Sequence, residues 1–323
     1  MDWRTTLSEY LAARFPGADS VTITRVGNMP AGASNSTAAI DVEVVAGGMT
    51  HTLPLVLRPE RRDGILAPYD VGRQFRVMRA LAGTEVPVPA VLCYEAGAAI
   101  LGAPFYLMYR LRCETLPLFW YDGRSPRLPA AAAALAAVHA VDWRAQGLGF
   151  LLPEGGQGVS PIACELAQWR VRAARMGTDR MPLTQALERY LLGNEPAGAR
   201  FSLVHGDPNP GNYLFRGDTV VAVVDWELAA IGDPRGDLGF YAALVAIFGG
   251  YADEPGRTVL SDAYEAVTGQ PLADMAYYEA FGLYRMLIVM AGWGGGGWGY
   301  YGSDAVKARL DVLLGPGWAG ALA

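Results

Sequence analysis

The sequence predicts an α+β protein built from two lobes, a small β-rich lobe at residues 1–111 and a larger helical lobe at residues 112–323. The length of 323 residues corresponds to about two domains. Hydrophobic residues make up 52% of the chain and charged residues 18%, which is enough apolar surface for a sizeable core. Near residue 112 the pattern changes from short alternating runs to helical periodicity, and this change places the boundary.

In the first lobe, alternating apolar positions predict strands and one apolar stripe predicts a helix. The expected helix is 70–82, where Val71, Phe75 and Met78 recur at helical spacing, and a shorter helix is expected at 7–15. The expected strands are 21–26, 38–45, 52–58, 91–95 and 105–111.

The second lobe is predicted to be mainly helical. Two short apolar strands, 203–204 and 220–224, interrupt the helices, and each is followed by a polar loop. The segment 292–302 combines glycines with aromatic residues and is expected to form a loop. The expected helices are 129–141, 162–175, 183–192, 238–248, 259–267, 275–289 and 305–314.

The charged residues exclude several classes of protein. Twenty-six basic residues against 32 acidic ones give a net charge of −6, which does not suit a protein that neutralises nucleic-acid phosphates. Lys307 is the only lysine, so the Gly-Lys pair of a P-loop is absent. The longest apolar run, near 241–248, is far shorter than the ~20 residues that a membrane span requires. We therefore expect a cytoplasmic protein that binds neither nucleic acid nor membrane.

Cysteine and histidine residues give no sign of a metal cluster. The three cysteines lack C-x-x-C spacing, and the three histidines are equally dispersed. Neither a disulfide framework nor a zinc site is predicted, which suits a reducing compartment. These residues are Cys93, Cys113, Cys164, His51, His139 and His205.

The densest chemical signal follows the two short strands of the second lobe. A His-Gly-Asp loop ends in Asp207, Asn212 stands five residues later, and Asp225 follows the next apolar strand. Phosphoryl transfer needs one carboxylate to accept the proton of the attacking hydroxyl. It also needs hard oxygen ligands for Mg²⁺, which an amide and a second carboxylate supply. The pattern predicts Asp207 as the base and Asn212 with Asp225 as metal ligands, because the protein-kinase catalytic loop has the same spacing.

The stretch 205–240, with its Gly-Asp-Pro at 232–234, resembles the aminoglycoside phosphotransferase and choline kinase-like family. The sequence Asp-Trp-Glu-Leu-Ala that begins at Asp225 is similar to that of the branch of this family found with acyl-CoA dehydrogenases. The resemblance extends over nearly the whole chain, including 56–58, 73–77, 86–89, 105–108 and 135–143. It implies a bilobal protein-kinase-like fold that uses Mg²⁺ and ATP, with GTP left open.

The resemblance also assigns residues that hold the nucleotide. Arg58 stands where kinase-like enzymes place the lysine that grips the phosphates, and arginine can serve the same oxygens through its fork of donors. Gln74 stands where a glutamate normally orients that cation, and it offers a carbonyl but no charge. Ser34 and Asn35 fall in the loop expected to cover the phosphates. Met108 falls in the segment expected to contact the base.

The acceptor is expected to be a small molecule with a hydroxyl group. Arg172 and Arg175 lie where the family places acceptor-binding helices, and Trp293 opens the aromatic, glycine-rich segment. Because residues 240–323 show no dense acidic run for a polycation, a neutral or anionic metabolite is favoured, such as a hydroxyacyl-CoA. Two alternatives stay open: an aminoglycoside or macrolide phosphotransferase, and a nucleotide-binding pseudokinase, which Gln74 would suit.

Overall fold

The computed structural model describes residues 2–28, 37–61, 70–116, 124–153, 155–248, 254–292 and 298–318. The chain forms two compact units. The first comprises residues 1–82 and 88–112, and the second comprises 83–87 and 113–323. Residues 83–87 belong to the second unit, where the Pro87 carbonyl accepts a hydrogen bond of 2.7 Å from the backbone N–H of Val223.

The first unit is a five-stranded antiparallel sheet with two helices. Its strand order is β1-β2-β3-β5-β4. Helix α2 begins after Asp70, whose carboxylate accepts the Arg73 backbone N–H at 2.7 Å and so caps the helix. The elements are α1 (Trp3–Ala12), β1 (Ser20–Asn28), β2 (Ala38–Ala46), β3 (Met49–Pro59), α2 (Val71–Leu81), β4 (Val91–Glu95) and β5 (Phe105–Tyr109).

The two faces of this sheet have different roles. One face packs against α1 and forms an apolar core that includes Ile40, Leu55 and Leu107. Alternation along each strand places the intervening residues on the opposite face. Arg58 pairs in register with Tyr106 and therefore shares that opposite face with it.

The second unit contains helices and short strands. Its helices are α3 (Arg127–Ala140), α4 (Pro161–Met176), α5 (Pro182–Gly193), α6 (Arg235–Phe248), α7 (Val259–Thr268), α8 (Met275–Gly292) and α9 (Trp298–Leu314). Its strands are β6 (Glu114–Thr115), β7 (Ser202–Val204), β8 (Tyr213–Arg216), β9 (Thr219–Val223) and β10 (Ala230–Gly232). The strands β6, β8 and β9 form one antiparallel sheet, and β7 pairs with β10.

Helices α6 and α8 cross closely because both carry glycine at the contact. A Cβ added at Gly239 would lie 2.2 Å from the Tyr278 carbonyl oxygen, and one added at Gly282 would lie 2.5 Å from the Gly239 carbonyl oxygen. The two backbones therefore touch at a point where no larger residue fits. This crossing brings α6 and α8 together beside the loop that follows β7.

The structure confirms the predicted α+β class, and differs from the sequence prediction in its short elements. The strands β6, β8 and β10 were not predicted, because each is five residues or fewer and its pairing partner is distant in sequence. Helix α9 begins at Trp298 instead of 305, so part of the predicted glycine-rich loop is helical. Among the described helices, none has both the length and the hydropathy that crossing a bilayer demands.

Candidate active site

The loop after β7 brings Asp207 and Asn212 into direct contact. A short 3-10 turn at Pro210–Asn212 folds the chain back toward Asp207. The Asn212 side-chain Nδ2 then donates to the Asp207 Oδ2 at 3.0 Å and to the Asp207 backbone carbonyl at 2.9 Å. This arrangement fixes the amide so that its oxygen, Oδ1, remains available to a cation.

Asp225 is held beside this loop by backbone contacts of its neighbour. The Val224 N–H donates to the Asn212 carbonyl at 2.9 Å, and the His205 Nε2 lies 2.9 Å from the Val224 carbonyl. Asp225 itself adopts left-handed backbone angles, with φ 68°, which aspartate tolerates better than most residues. The structure therefore brings together Asp207, Asn212 and Asp225, which the sequence predicts as base and metal ligands.

The side chain of Asp237 on α6 anchors the backbone of this loop. Its Oδ1 accepts the Gly206 N–H at 2.7 Å, and its Oδ2 accepts the His205 N–H at 2.8 Å. The same Oδ2 lies 3.0 Å from the His139 Nε2. Burial alone would raise the pKa of Asp237, but the hydrogen bond from His139 and the electrostatic interactions with His139, His205 and Arg285 outweigh it and lower the pKa. Asp237 therefore stays ionised and holds two backbone donors of the loop.

His205 braces the loop through both nitrogens of its ring. Its Nδ1 accepts the Asp207 N–H at 3.3 Å, so the proton sits on Nε2, which donates to the Val224 carbonyl. Both ring nitrogens are thus engaged within the fold, and the side chain is fully buried. Next to it, Gly206 has φ +87°, and a Cβ there would lie 2.3 Å from the Leu228 carbonyl oxygen. Only glycine fits this position.

The electrostatic surroundings of Asp207 favour proton acceptance. Loss of hydration raises the pKa of its carboxyl above the usual value, and the charge of Asp225 raises it further. The interaction with His205, the hydrogen bond from Asn212 and the charge of Arg285 oppose this rise. A carboxylate with a raised pKa is a stronger base toward an attacking hydroxyl.

Two buried charges near the loop were not predicted from the sequence. Arg285 on α8 donates through Nη2 to the Gly206 carbonyl and is 1% exposed. Glu165 on α4 is 2% exposed, and burial raises its pKa to about 8, against the opposing charge of Arg285. The only signal for Arg285 was a lone cation in an apolar stretch of helix. Glu165 gave none, because a single acid in a helix is usually solvated.

The first unit positions three of the predicted nucleotide residues. Arg58 is nearly buried on β3, and Met108 on β5 lies on the same face of the sheet. Gln74 on α2 is 1% exposed, and its Oε1 lies 3.5 Å from the hydroxyl of Tyr106, the cross-strand neighbour of Arg58. This places Arg58 and Gln74 around one tyrosine. Ser34 and Asn35 lie outside the described residues.

The predicted acceptor residues lie on α4 or outside the described residues. The Arg172 guanidinium carbon lies 4.9 Å from the centre of the Trp169 ring. Arg175 is exposed in the last turn of the helix. Trp293 belongs to the part of the chain that is not described.

One pocket of the second unit lies apart from this loop. It has a volume of about 750 Å³ and is lined in part by His139 and Tyr264, whose hydroxyl lies 2.9 Å from the His139 Nδ1. Asp207, Asn212 and Asp225 do not line it. The pocket is therefore separate from the predicted catalytic residues.

The residues beside Asp207 include oxygen ligands of the kind that Mg²⁺ prefers. Across the described ranges, no group of three or more His, Cys, Asp or Glu side chains could hold a metal ion. One amide oxygen, from Asn212, and one carboxylate, from Asp225, could together serve as hard oxygen ligands. Mg²⁺ is bound in this way in phosphoryl-transfer enzymes.

In the second unit, Asp207 contacts Asn212, and Asp225 stands at a nearby strand end; the first unit is built on a five-stranded sheet. These features define a phosphotransferase of the protein-kinase-like fold. The chain belongs to the phosphotransferase enzyme family, APH, whose model matches residues 28–279. That family is one of enzymes that transfer phosphoryl groups. The family resemblance predicted from the sequence is confirmed.

The chain is similar both to curated protein sequences and to solved structures. Mouse acyl-CoA dehydrogenase family member 10 is 29% identical over 262 residues, which are 74% of this chain and 24% of that protein. A crystal structure from Ralstonia eutropha, of a protein assigned by name to the aminoglycoside phosphotransferases, is 26% identical, with TM-score 0.66 and 99% and 98% of the two chains covered. A thermostable mutant of aminoglycoside phosphotransferase APH(4)-Ia, bound to AMP-PNP and hygromycin B, is 17% identical, with TM-score 0.56 and 95% and 98% covered. The chain spans about a quarter to a third of the length of the curated relatives it matches.

Proposed function

We propose that the chain transfers the γ-phosphoryl group of Mg-ATP to the hydroxyl of a neutral or anionic metabolite, with Asp207 as the catalytic base. The observation that carries this proposal is the contact between Asn212 and Asp207, 3.0 Å from Nδ2 to Oδ2, beside the strand end that holds Asp225. Asp207 would orient the acceptor hydroxyl and accept its proton as the oxygen attacks phosphorus. Asp237 and His205 keep that carboxylate in place.

Asn212 Oδ1 and the Asp225 carboxylate would hold the magnesium ion. When bound, Mg²⁺ neutralises charge on the phosphate oxygens. Asn212 has a double role in this proposal, because its Nδ2 fixes the base and its Oδ1 ligates the metal. Replacing it would therefore affect both the metal and the orientation of Asp207.

In the first unit, Arg58 would contact the nucleotide phosphates and Met108 would lie near the base. The position of Arg58 supports this, because it lies nearly buried on the sheet face that it shares with Tyr106 and Met108, and its fork of N–H donors suits phosphate oxygens. Gln74 would help to orient Arg58 through its amide. Ser34 and Asn35 would cover the phosphates, as the sequence predicts. ATP is the proposed nucleotide, and GTP is the competitor to test.

The acceptor is proposed to be a hydroxyacyl-CoA. Three observations support an anionic acceptor with a long apolar part: Arg172 and Arg175 on α4, the aromatic segment that includes Trp293, and the acyl-CoA dehydrogenase names of the curated relatives. An aminoglycoside is the alternative, because hygromycin B is bound in a structure of the same fold. A polycation would need a cluster of carboxylates, and the acids of residues 240–323 are dispersed.

A second candidate is a nucleotide-binding pseudokinase. Gln74 carries this alternative, because an amide cannot balance the charge of Arg58 as a glutamate would. Its Nε2 has no hydrogen-bond partner among the residues that the structure describes. Nucleotide binding without any transfer would support this candidate.

The test is magnesium-dependent ATP turnover by the wild-type chain and by Asp207→Asn, with Asp218→Asn as the matched control on an exposed turn. The phosphotransferase is supported if turnover is lost in Asp207→Asn and on chelation of Mg²⁺, but is kept in Asp218→Asn. A short-chain hydroxyacyl-CoA and hygromycin B are then compared as acceptors. Transfer to hygromycin B alone would overturn the proposed acceptor, and turnover unaffected by Asp207→Asn would overturn the proposed base.

A further inference from the structure

Arg285 on α8 is a buried cation at the heart of the second unit. It is 1% exposed, its Nη2 donates to the Gly206 carbonyl, and its Nη1 lies 3.4 Å from the Gly236 carbonyl. Arginine cannot be deprotonated inside a protein, so its charge has to be compensated where it stands. The residue it contacts most closely is the one that precedes the catalytic Asp207.

The compensation comes from aromatic rings and carboxylates together. The Arg285 guanidinium carbon lies 4.1 Å from the centre of the Phe240 ring and 5.0 Å from that of Trp169, within the range of cation–π attraction. Burial lowers the pKa of Arg285, while Glu165 where it is ionised and the charges of Asp237 and Asp207 raise it. The guanidinium therefore forms part of the same charge network as the catalytic loop.

Two of these partners belong to α4, the helix that carries the proposed acceptor residues. Glu165 and Trp169 are four residues apart and so share one face of α4, and both are buried. Gly232 makes room for the Glu165 carboxyl, because a Cβ there would lie 1.9 Å from its Oε1. The Trp169 ring also lies 4.9 Å from the Arg172 guanidinium carbon. One ring thus contacts both a proposed acceptor residue and the cation that holds the loop.

We propose that Arg285 is a positioning residue for phosphoryl transfer: it holds the Gly206 carbonyl, so orients Asp207, and couples that orientation to α4 through Trp169. This inference rests on the proposed function. Asp237 fixes the Gly206 N–H and Arg285 fixes the Gly206 C=O, so the two peptide units on either side of Gly206 are held from α6 and α8. Without the hydrogen bond from Arg285, the peptide unit after Gly206 is free to rotate and to move Asp207 with it.

The first experiment compares Arg285→Met and Arg285→Lys with Arg309→Met. Arg309 is a matched control, because it is also buried and ion-paired, with Glu279 at 2.5 Å, but it lies on α9. The readouts are kcat and nucleotide KM in magnesium-dependent ATP hydrolysis, with water as acceptor. We expect Arg285→Met to lower kcat about 100-fold, as a displacement of ~1 Å does. Nucleotide KM should stay within about twofold, because the nucleotide contacts are unchanged.

Arg285→Lys keeps the charge and one donor, so its kcat should fall between those of wild type and Arg285→Met. It also keeps the test valid if Arg285→Met does not fold. Arg309→Met should lower the melting temperature and leave kcat per folded molecule unchanged. An equal loss of kcat in Arg309→Met and Arg285→Met, or an unchanged kcat in both Arg285 variants, would show a purely structural cation and overturn the proposal.

Amide hydrogen exchange separates this inference from the proposed function, because it needs no turnover. The Gly206 amide should exchange at least about tenfold faster in Arg285→Met or Arg285→Lys than in Arg309→Met, since only the former frees the loop. Unchanged exchange at Gly206 would overturn the positioning role even in an active enzyme. Absence of turnover in the wild type, with faster exchange in the Arg285 variants, would overturn the proposed function alone.

A double-mutant cycle tests the coupling through Trp169. If Arg285 and Trp169 act as one unit, Trp169→Leu combined with Arg285→Lys should lower kcat by much less than the product of the two single effects. Trp169→Leu combined with Arg309→Met should multiply. Multiplicative behaviour in both pairs would remove α4 from the mechanism.

Discussion

Asp237 accepts the backbone N–H of Gly206 at 2.7 Å, although the two residues are 31 positions apart in the chain. This hydrogen bond, with the one from His205 to the same carboxylate, ties the catalytic loop to helix α6. A loop with few apolar contacts can be precise only if its backbone groups are held. The buried carboxylate of Asp237 supplies that support.

Asp237→Asn should destabilise the second unit and slow turnover. The amide presents an N–H to a site that receives hydrogen bonds from Gly206, His205 and His139, so at least one donor is left without an acceptor. We expect the free energy of unfolding to fall by about 3 kcal/mol, as for other broken buried charge networks. Urea unfolding measures the change, with the exposed Asp179→Asn as control. Equal stability of the two variants would contradict the anchoring role.

Gly206→Ala should disrupt the catalytic loop far more than Gly217→Ala disrupts its own turn. Both glycines have positive φ, but a Cβ at Gly206 meets the Leu228 carbonyl at 2.3 Å, while nothing lies within 4 Å of one at Gly217. Gly217→Ala should cost about 1 kcal/mol, the price of left-handed angles alone. Gly206→Ala adds a backbone collision and should cost about 3 kcal/mol or more. Thermal unfolding and turnover of the two variants check this, and similar losses would contradict it.

Gly239→Ala should lower the free energy of unfolding much more than Gly236→Ala on the same helix. A Cβ at Gly239 would lie 2.2 Å from the Tyr278 carbonyl oxygen, whereas the nearest atom to one at Gly236 is 3.5 Å away. Forcing α6 and α8 apart should cost about 3 kcal/mol, as overpacking does elsewhere. Gly236→Ala should stay within about 1 kcal/mol of wild type. Chemical denaturation of both variants distinguishes them, and a tolerated Gly239→Ala would mean that the crossing can widen freely.

Glu165 should make the protein less stable as the pH rises. Burial raises its pKa from the ordinary 4.5 to about 8 in the folded chain. Between these values the folded chain holds a proton that the unfolded chain has lost, so stability falls by up to about 1.4 kcal/mol per pH unit. Glu165→Gln should remove this slope, and Glu9→Gln, which changes an exposed acid, should not. Unfolding free energies measured at several pH values from 5 to 8 check this, and an unchanged slope in Glu165→Gln would show that Glu165 is ionised.

The predicted catalytic residues came from a local pattern, and the structure brings them together. His205, Asp207 and Asn212 lie within eight residues, so their spacing nearly determines their geometry once a strand precedes them. Asp225 is also readable, because strand β9 ends just before it. Loops between short strands have few conformations that place a carboxylate beside an amide, and that restriction makes the motif informative.

Arg285 and Glu165 could not be predicted in the same way. Their meaning depends on where α4 and α8 lie relative to the loop, and that placement depends on the glycine contact between α6 and α8. Burial of a charge is a property of packing, and packing partners more than a hundred residues apart leave no periodic signal. The short strands β8 and β10 were missed for the same reason, since their apolar runs are brief and their partners distant.

The sequence alone determined the class of fold and the family, and it predicted the residues of the phosphoryl-transfer motif, because these depend on periodicity and short spacings. Its lysine-free first three hundred residues also placed an arginine, Arg58, at the proposed phosphate contact. Only the tertiary structure decided what holds the motif in place. Asp237 binds the Gly206 N–H and Arg285 binds the Gly206 carbonyl, and the glycine contact between α6 and α8 positions both side chains. These contacts join residues that are distant in the chain, and only the packing of the helices brings them within hydrogen-bonding distance.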